Sequence, residues 1–121
     1  MFEISVETHF NASHELILHD GLKEPKHNHN WSITAIISSE KLNNIGIVMD
    51  FHAIKKMLNK ITARFENKSL NDFDYFRHNN PSAENVAKYI FEQLEPQLPK
   101  NVKLAAIGII EEPGCKAKYY K

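Results

Sequence analysis

The sequence predicts an α+β fold, in which four strands form an antiparallel sheet and two helices pack on one of its faces. Three observations predict it. Apolar and polar residues alternate over 2–10 and 27–39, apolar residues recur at helical spacing over 51–65 and 83–94, and two short apolar runs, 102–111 and 115–120, close the chain around a turn. The order is strand, strand, helix, helix, strand, strand, which suits a sheet with both helices on the same side.

In the first strand Phe2, Ile4, Val6 and Phe10 alternate with Glu3, Ser5, Glu7 and His9, the period of a half-buried strand, and His14 falls at its end. Residues 18–26 carry Gly21 and Pro25 among charges and read as a loop. The second strand begins at or just after the histidine pair, with His27, His29, Trp31, Ile33, Ala35 and Ile37 at the same period-two positions. Asn43, Asn44 and Gly46 break the pattern. Asp50 then suits an N-cap for a helix whose stripe is Phe51, Ile54, Leu58, Ile61 and Phe65. Residues 66–79 read as a polar, aromatic-spotted loop. Asn80 is the expected cap of the second helix, with Pro81 at its first position, where no N–H is needed. Ala83, Val86, Ala87, Ile90, Phe91 and Leu94 are its apolar stripe, and Pro96 and Pro99 stop it. Glu112, Pro113 and Gly114 supply the last turn.

At 121 residues, 42% apolar and 25% charged, the chain reads as one domain over residues 1–121. Fifteen basic residues balance fifteen acidic ones, so no global positive field gathers nucleic acid or an anionic membrane. No apolar run is long enough to span a bilayer, and the N-terminus lacks a signal-peptide layout. A single cysteine, Cys115, excludes an internal disulfide framework, and the expected compartment is the cytoplasm. With both helices on one side, the other sheet face is expected to be covered by further copies of the chain, since its strands carry apolar or mixed residues there.

Seven histidines stand out, five of them within the first thirty residues. On a strand, His27 and His29 project from the same face about 7 Å apart, and an antiparallel partner strand would bring His14 against them. Three neutral imidazoles with a fourth position left for water or substrate are the pattern of a catalytic zinc site. Spacing alone equally allows an accidental His-x-His at a polar loop edge. His9, His19, His52 and His78 have no comparable arrangement and read as surface or interface residues.

A set of short motifs runs in order along the chain: Phe10-x-Ala12-x-His14, His27-Asn28-His29-Asn30-Trp31, Ile47-Val48-Met49-Asp50-Phe51, Leu70-Asn71-Asp72, Asn80-Pro81-Ser82-Ala83-Glu84-Asn85, and Glu111 with Tyr119 eight residues on. Together these resemble the 6-pyruvoyltetrahydropterin synthase and 6-carboxytetrahydropterin synthase family over essentially the whole chain. The resemblance implies the tunnelling fold (T-fold), assembled as trimers or dimers of trimers. It implies that His14, His27 and His29 bind Zn2+ and that Glu111 accepts hydrogen bonds from the N–H groups of a pterin. A carboxylate suits that task, because its two oxygens match two parallel donors. The implied substrate is 7,8-dihydroneopterin triphosphate or a related dihydropterin.

The sequence also departs from the family pattern. The family cysteine that precedes the histidine pair aligns with Lys23. One residue on, Glu24 resembles a variant that uses glutamate and releases 6-hydroxymethyl-7,8-dihydropterin, so Glu24 is the candidate base; the alternative is a solvated loop carboxylate between two lysines. The usual Asp-His pair aligns with Glu66 and Asn67, of which Glu66 retains a carboxylate for catalysis while asparagine cannot relay a proton. Asn28 stands for a glycine, and Glu112 for a threonine beside the pterin carboxylate. Two functions therefore compete: a zinc-dependent pterin synthase, and a pterin-binding paralogue without turnover. A purely structural zinc protein would need a fourth protein ligand.

Overall fold

The computed structural model describes residues 1–121. The alternation at the start of the chain becomes two long strands, β1 (Phe2–His14) and β2 (His27–Ser39), paired antiparallel along their length with Phe2 opposite Ser39 and His14 opposite His27. Two further strands, β4 (Lys103–Glu112) and β5 (Cys115–Tyr119), extend the sheet from β2. These four strands are antiparallel, as expected. The sheet nevertheless has five strands, because the two-residue β3 (Lys68–Ser69) pairs parallel with Ala12 and Ser13, giving the order β3-β1-β2-β4-β5.

Between β2 and β4 the chain forms three helices: α1 (Phe51–Thr62), the short α2 (Asp74–His78) and α3 (Ala83–Leu94). Asp50 caps α1 by accepting from the amide of His52. The helix stops at Thr62, short of Phe65, yet Phe65 is still buried against Phe10 with ring centroids 5.6 Å apart. The expected loop over 66–79 thus contains β3, a 3-10 turn at Leu70–Asp72 and α2. A second correction concerns α3, whose cap is Ser82: its side chain accepts from the amide of Asn85, while Asn80 and Pro81 lie outside the helix.

One hydrophobic core fills the space between the helices and one sheet face. Val6, Phe10 and Ala12 of β1, Trp31, Ile33, Ala35 and Ile37 of β2, and Ile107 and Ile109 of β4 meet Ile54 and Leu58 of α1 and Val86, Ile90 and Leu94 of α3. Trp31 is fully buried, stacks on Phe10 at 5.7 Å, and donates its indole N–H to the carbonyl of Ala12 at 3.1 Å. That bond matters because an unpaired indole N–H in this core would cost about 1–3 kcal/mol. It also ties β1 to β2 beside the three histidines. No helix is long and apolar enough to cross a membrane.

Candidate metal centre

Strand pairing brings the three histidines together. His14 ends β1, His27 begins β2 directly opposite, and His29 stands two residues on, on the same face. The ring centroids of His27 and His29 are 4.5 Å apart, those of His14 and His27 4.8 Å, and those of His14 and His29 5.3 Å. One ligand nitrogen from each ring lies within 4.8 Å of the other two. Zinc–imidazole bonds of about 2.0–2.1 Å bring such atoms to one ion with small side-chain rotations.

Two backbone carbonyls decide which nitrogens face the centre. His14 Nδ1 lies 2.7 Å from the carbonyl of Pro81, and His27 Nδ1 lies 2.9 Å from that of Pro25. A carbonyl only accepts, so in each neutral ring Nδ1 carries the proton and Nε2 offers its lone pair. Nε2 of His14 and of His29 are buried without a hydrogen-bond partner. Buried nitrogens are rarely left so, and their convergence fits a cation that takes all the lone pairs at once. Burial holds the His14 imidazole below its ordinary value of 6.5, and His27 and His29 act in the same direction against the raising influence of the Pro81 carbonyl and Glu111. His14 is therefore neutral at neutral pH, the form that binds metal.

Two carboxylates approach the cluster, each at a different histidine. Glu111, on β4, places Oε1 2.8 Å from His14 Nε2, outside the geometry of a hydrogen bond, so the two atoms are close without being aimed at each other. It also lines a cleft of about 210 Å³ with Ala83, Glu84, Cys115, Lys116 and Ala117. Glu24 lies 4.0 Å from His27 Nε2, and its Oε1 accepts from the amide of Leu16 at 3.2 Å. A larger cleft of about 450 Å³ at the opposite end of β1, lined by Phe2, Ile4, Leu42, Val48 and Phe51 among others, contains none of these groups.

Glu66 is engaged elsewhere. Its Oε2 accepts from the amide of Asn11 at 3.1 Å, and Asn67, at φ +59°, donates its own amide to the Asn11 carbonyl at 2.7 Å. Asn28, between the two histidines of β2, donates to Asn11 Oδ1 at 2.7 Å. Three residues that depart from the family pattern, Asn28, Glu66 and Asn67, thus meet at Asn11. His9, His19, His52 and His78 are exposed and outside the cluster. The carbonyl groups of Pro25 and Pro81 escape sequence reasoning, because nothing in a proline marks its carbonyl as a histidine's partner.

The strand order and the three-histidine cluster define the class, a T-fold protein of the tetrahydropterin synthase type. The chain belongs to the 6-pyruvoyl tetrahydropterin synthase family, whose model matches residues 3–121. It is similar to the 6-carboxy-5,6,7,8-tetrahydropterin synthase of Synechocystis, at 30% identity over 99% of this chain and 94% of that one. It is also similar to the dihydroneopterin monophosphate aldolase of Pyrococcus furiosus, at 29% identity over 84% of this chain and 82% of that one. Among solved structures, the Caenorhabditis elegans 6-pyruvoyl tetrahydropterin synthase has a TM-score of 0.86 at 23% identity, covering 99% of this chain and 95% of the other. A Plasmodium vivax 6-pyruvoyltetrahydropterin synthase, in a form whose catalytic glutamate is replaced by alanine, has a TM-score of 0.78 at 17% identity, covering 99% and 97%.

Proposed function

We propose that this chain is a zinc-dependent lyase acting on 7,8-dihydroneopterin triphosphate or a related dihydropterin. The observation that carries the reading is the approach of two carboxylates to the three-histidine cluster, Glu111 beside His14 and Glu24 beside His27. In this reading His14, His27 and His29 hold the ion, and Glu111 turns from His14 to accept the ring and amine N–H groups of the pterin. Bound zinc would act as a Lewis acid and lower the pKa of the substrate's side-chain hydroxyls. Glu24 takes the proton from such a hydroxyl. The bond that breaks next sets the product: carbon–oxygen cleavage releases triphosphate, and carbon–carbon cleavage of the side chain leaves 6-hydroxymethyl-7,8-dihydropterin. The catalytic glutamate of the Plasmodium vivax protein and the aldolase name of the Pyrococcus relative support glutamate chemistry and cleavage of this kind. Glu66 takes a supporting part, through Asn11 and Asn28, behind the histidine pair.

The reading extends to the assembly and the setting: one pterin synthase-like domain over residues 1–121, in the cytoplasm, joined into trimers or pairs of trimers. Open strand edges on both sides of the sheet support the assembly.

A second reading, pterin binding without turnover, is favoured by Asn67, which stands where a histidine relay is usual and whose amide serves the backbone of Asn11. One experiment separates them. Zinc-loaded protein is incubated with 7,8-dihydroneopterin triphosphate, and separately with the monophosphate, while released phosphate species and pterin products are followed. Turnover that disappears in Glu24→Gln, by about 100-fold or more, and in His29→Ala supports the lyase. Tight pterin binding with no turnover above the His29→Ala protein supports the second reading.

A further inference from the structure

Two asparagines from family motifs that the proposed chemistry leaves unused hold one short segment just beyond His14. Asn71, in the 3-10 turn, accepts from the amide of Glu15 at 2.9 Å and donates to its carbonyl at 2.8 Å. Asn80 makes the same pair of bonds to Ile17, both at 2.8 Å. Each carboxamide offers one acceptor and one donor, so the two side chains together stand in for a neighbouring strand. In an extended segment, backbone groups point alternately to the two edges. With residues 15 and 17 fixed on one edge, Leu16 presents its amide and carbonyl on the other.

That other edge belongs to Glu24. The Leu16 amide donates to Glu24 Oε1 at 3.2 Å, and the Glu24 amide donates back to the Leu16 carbonyl at 3.0 Å. Beyond this pair the chain turns through an exposed hairpin closed by the Leu18 amide on the Leu22 carbonyl, with Gly21 at φ +84°, and the Leu16 amide is the donor to the carboxylate. The position of Glu24 therefore comes from Leu16, and that of Leu16 from the two asparagines. Asn80 has a further link, since the carbonyl of the next residue, Pro81, orients His14.

We infer that Asn71 and Asn80 are positioning residues that set the Glu24 carboxylate against the histidine cluster. The inference rests on the reading of Glu24 as base, and its consequence is a rate effect without a binding effect. Displacement of a reacting group by about 1 Å costs about 100-fold in rate, whereas Asn71 contacts neither metal ligand nor pterin carboxylate in the structure.

The test uses the full zinc-loaded protein and its Asn71→Ala, Asn71→Asp, Asn80→Ala and Glu24→Gln forms. Amide hydrogen exchange and turnover of 7,8-dihydroneopterin triphosphate are measured on each. In Asn71→Ala the amides of Leu16 and Glu24 should exchange about tenfold faster or more. Its kcat should fall about tenfold to 100-fold with KM within about twofold, and its zinc content should be unchanged. Asn71→Asp, which keeps the acceptor alone, should fall between wild type and alanine on both readouts and serves if the alanine form does not fold. Wild-type exchange at Leu16 and Glu24 in both alanine forms overturns the inference whatever the catalysis does. Wild-type kcat in Asn71→Ala and Asn80→Ala, alongside an inactive Glu24→Gln, overturns it as well. If Glu24→Gln turns over like wild type, Glu24 falls as base, and the exchange measurement alone then decides whether the asparagines place its carboxylate.

Discussion

Pro81 and Pro25 carry no reactive group, yet their carbonyls select the nitrogen that His14 and His27 turn toward the centre. The histidine cluster itself was legible in the sequence. Residues two apart on a strand share a face, and His14 shares parity with the apolar residues of β1, so convergence follows from pleat and pairing alone. The ring orientation was not legible, because it depends on carbonyls brought in by a loop and by the entry to α3. The same holds for Glu66, whose carboxylate faces the amide of Asn11, a contact created by the parallel pairing of β3. His29→Ala removes one of three ligands and should leave a chain that loses zinc on dialysis, read as metal per chain by elemental analysis. Retention of one zinc per chain by that variant would point to a different ligand set. The metal-free protein should also respond to acid. His14 is held below its ordinary value of 6.5, chiefly by burial, so the unfolded chain takes up the proton first. Its contribution to stability is complete above that value and is lost as pH falls from about 6.5 toward the lowered folded value. Urea melts of metal-free protein should therefore weaken over that interval, and His14→Phe should flatten the dependence. An unchanged slope in His14→Phe would assign the pH response to other groups.

The long elements could be read from periodicity, because β1, β2, α1 and α3 each show several turns or pleats of one pattern. The short ones could not. A strand of two residues and a helix of five present too few positions for any period, so the 66–79 segment looks like loop until β1 supplies its partner. The start of α3 departs from the expected Asn80 cap for a different reason. Asn80 before Pro81 matches a cap followed by a first helical residue, but the Asn80 carboxamide is committed to both backbone groups of Ile17. The cap falls instead to Ser82, whose hydroxyl accepts from the amide of Asn85 at 3.1 Å. Ser82→Ala should then cost about 1 kcal/mol of stability, measured by chemical denaturation. No loss in Ser82→Ala would show that the helix start draws its stability from elsewhere. Deeper in the core, Leu58 of α1 is fully buried. Leu58→Ala should destabilise the chain by about 2–5 kcal/mol, since a rigid core closes such a cavity only partly.

Beyond the single chain, the sheet has one face under the helices and two open edges. The register sets Glu7, Thr34, Gly108 and Lys118 in one row across β1, β2, β4 and β5, and His9, Ser32, Ile110 and Lys116 in the next. The first row carries Glu7 at the β1 edge and the second His9, each with a lysine at the β5 edge. Only Ala12 and Ser13 of β1 are covered by β3, so most of that edge is free, as is the outer edge of β5. A bare, regular edge is avoided in a lone chain because it invites pairing. Here the two edges are complementary in charge, since an antiparallel joint between the β5 edge and the β1 edge of another copy would set Lys116 and Lys118 on the side of Glu7 and Glu3. The exposed Phe2, Leu42 and Phe51 around the 450 Å³ cleft supply apolar area near the start of β1. Light scattering in solution should accordingly give a mass of three times the 14.0 kDa chain, or a multiple of that. Reversing both lysines, Lys116→Glu with Lys118→Glu, sets like charges along the joint and should shift the protein toward smaller species. Adding Glu3→Lys and Glu7→Lys in the same chain should restore the assembly. A monomer at all concentrations in the unaltered protein would remove the edge-to-edge arrangement, and recovery without the second pair of changes would remove its electrostatic basis.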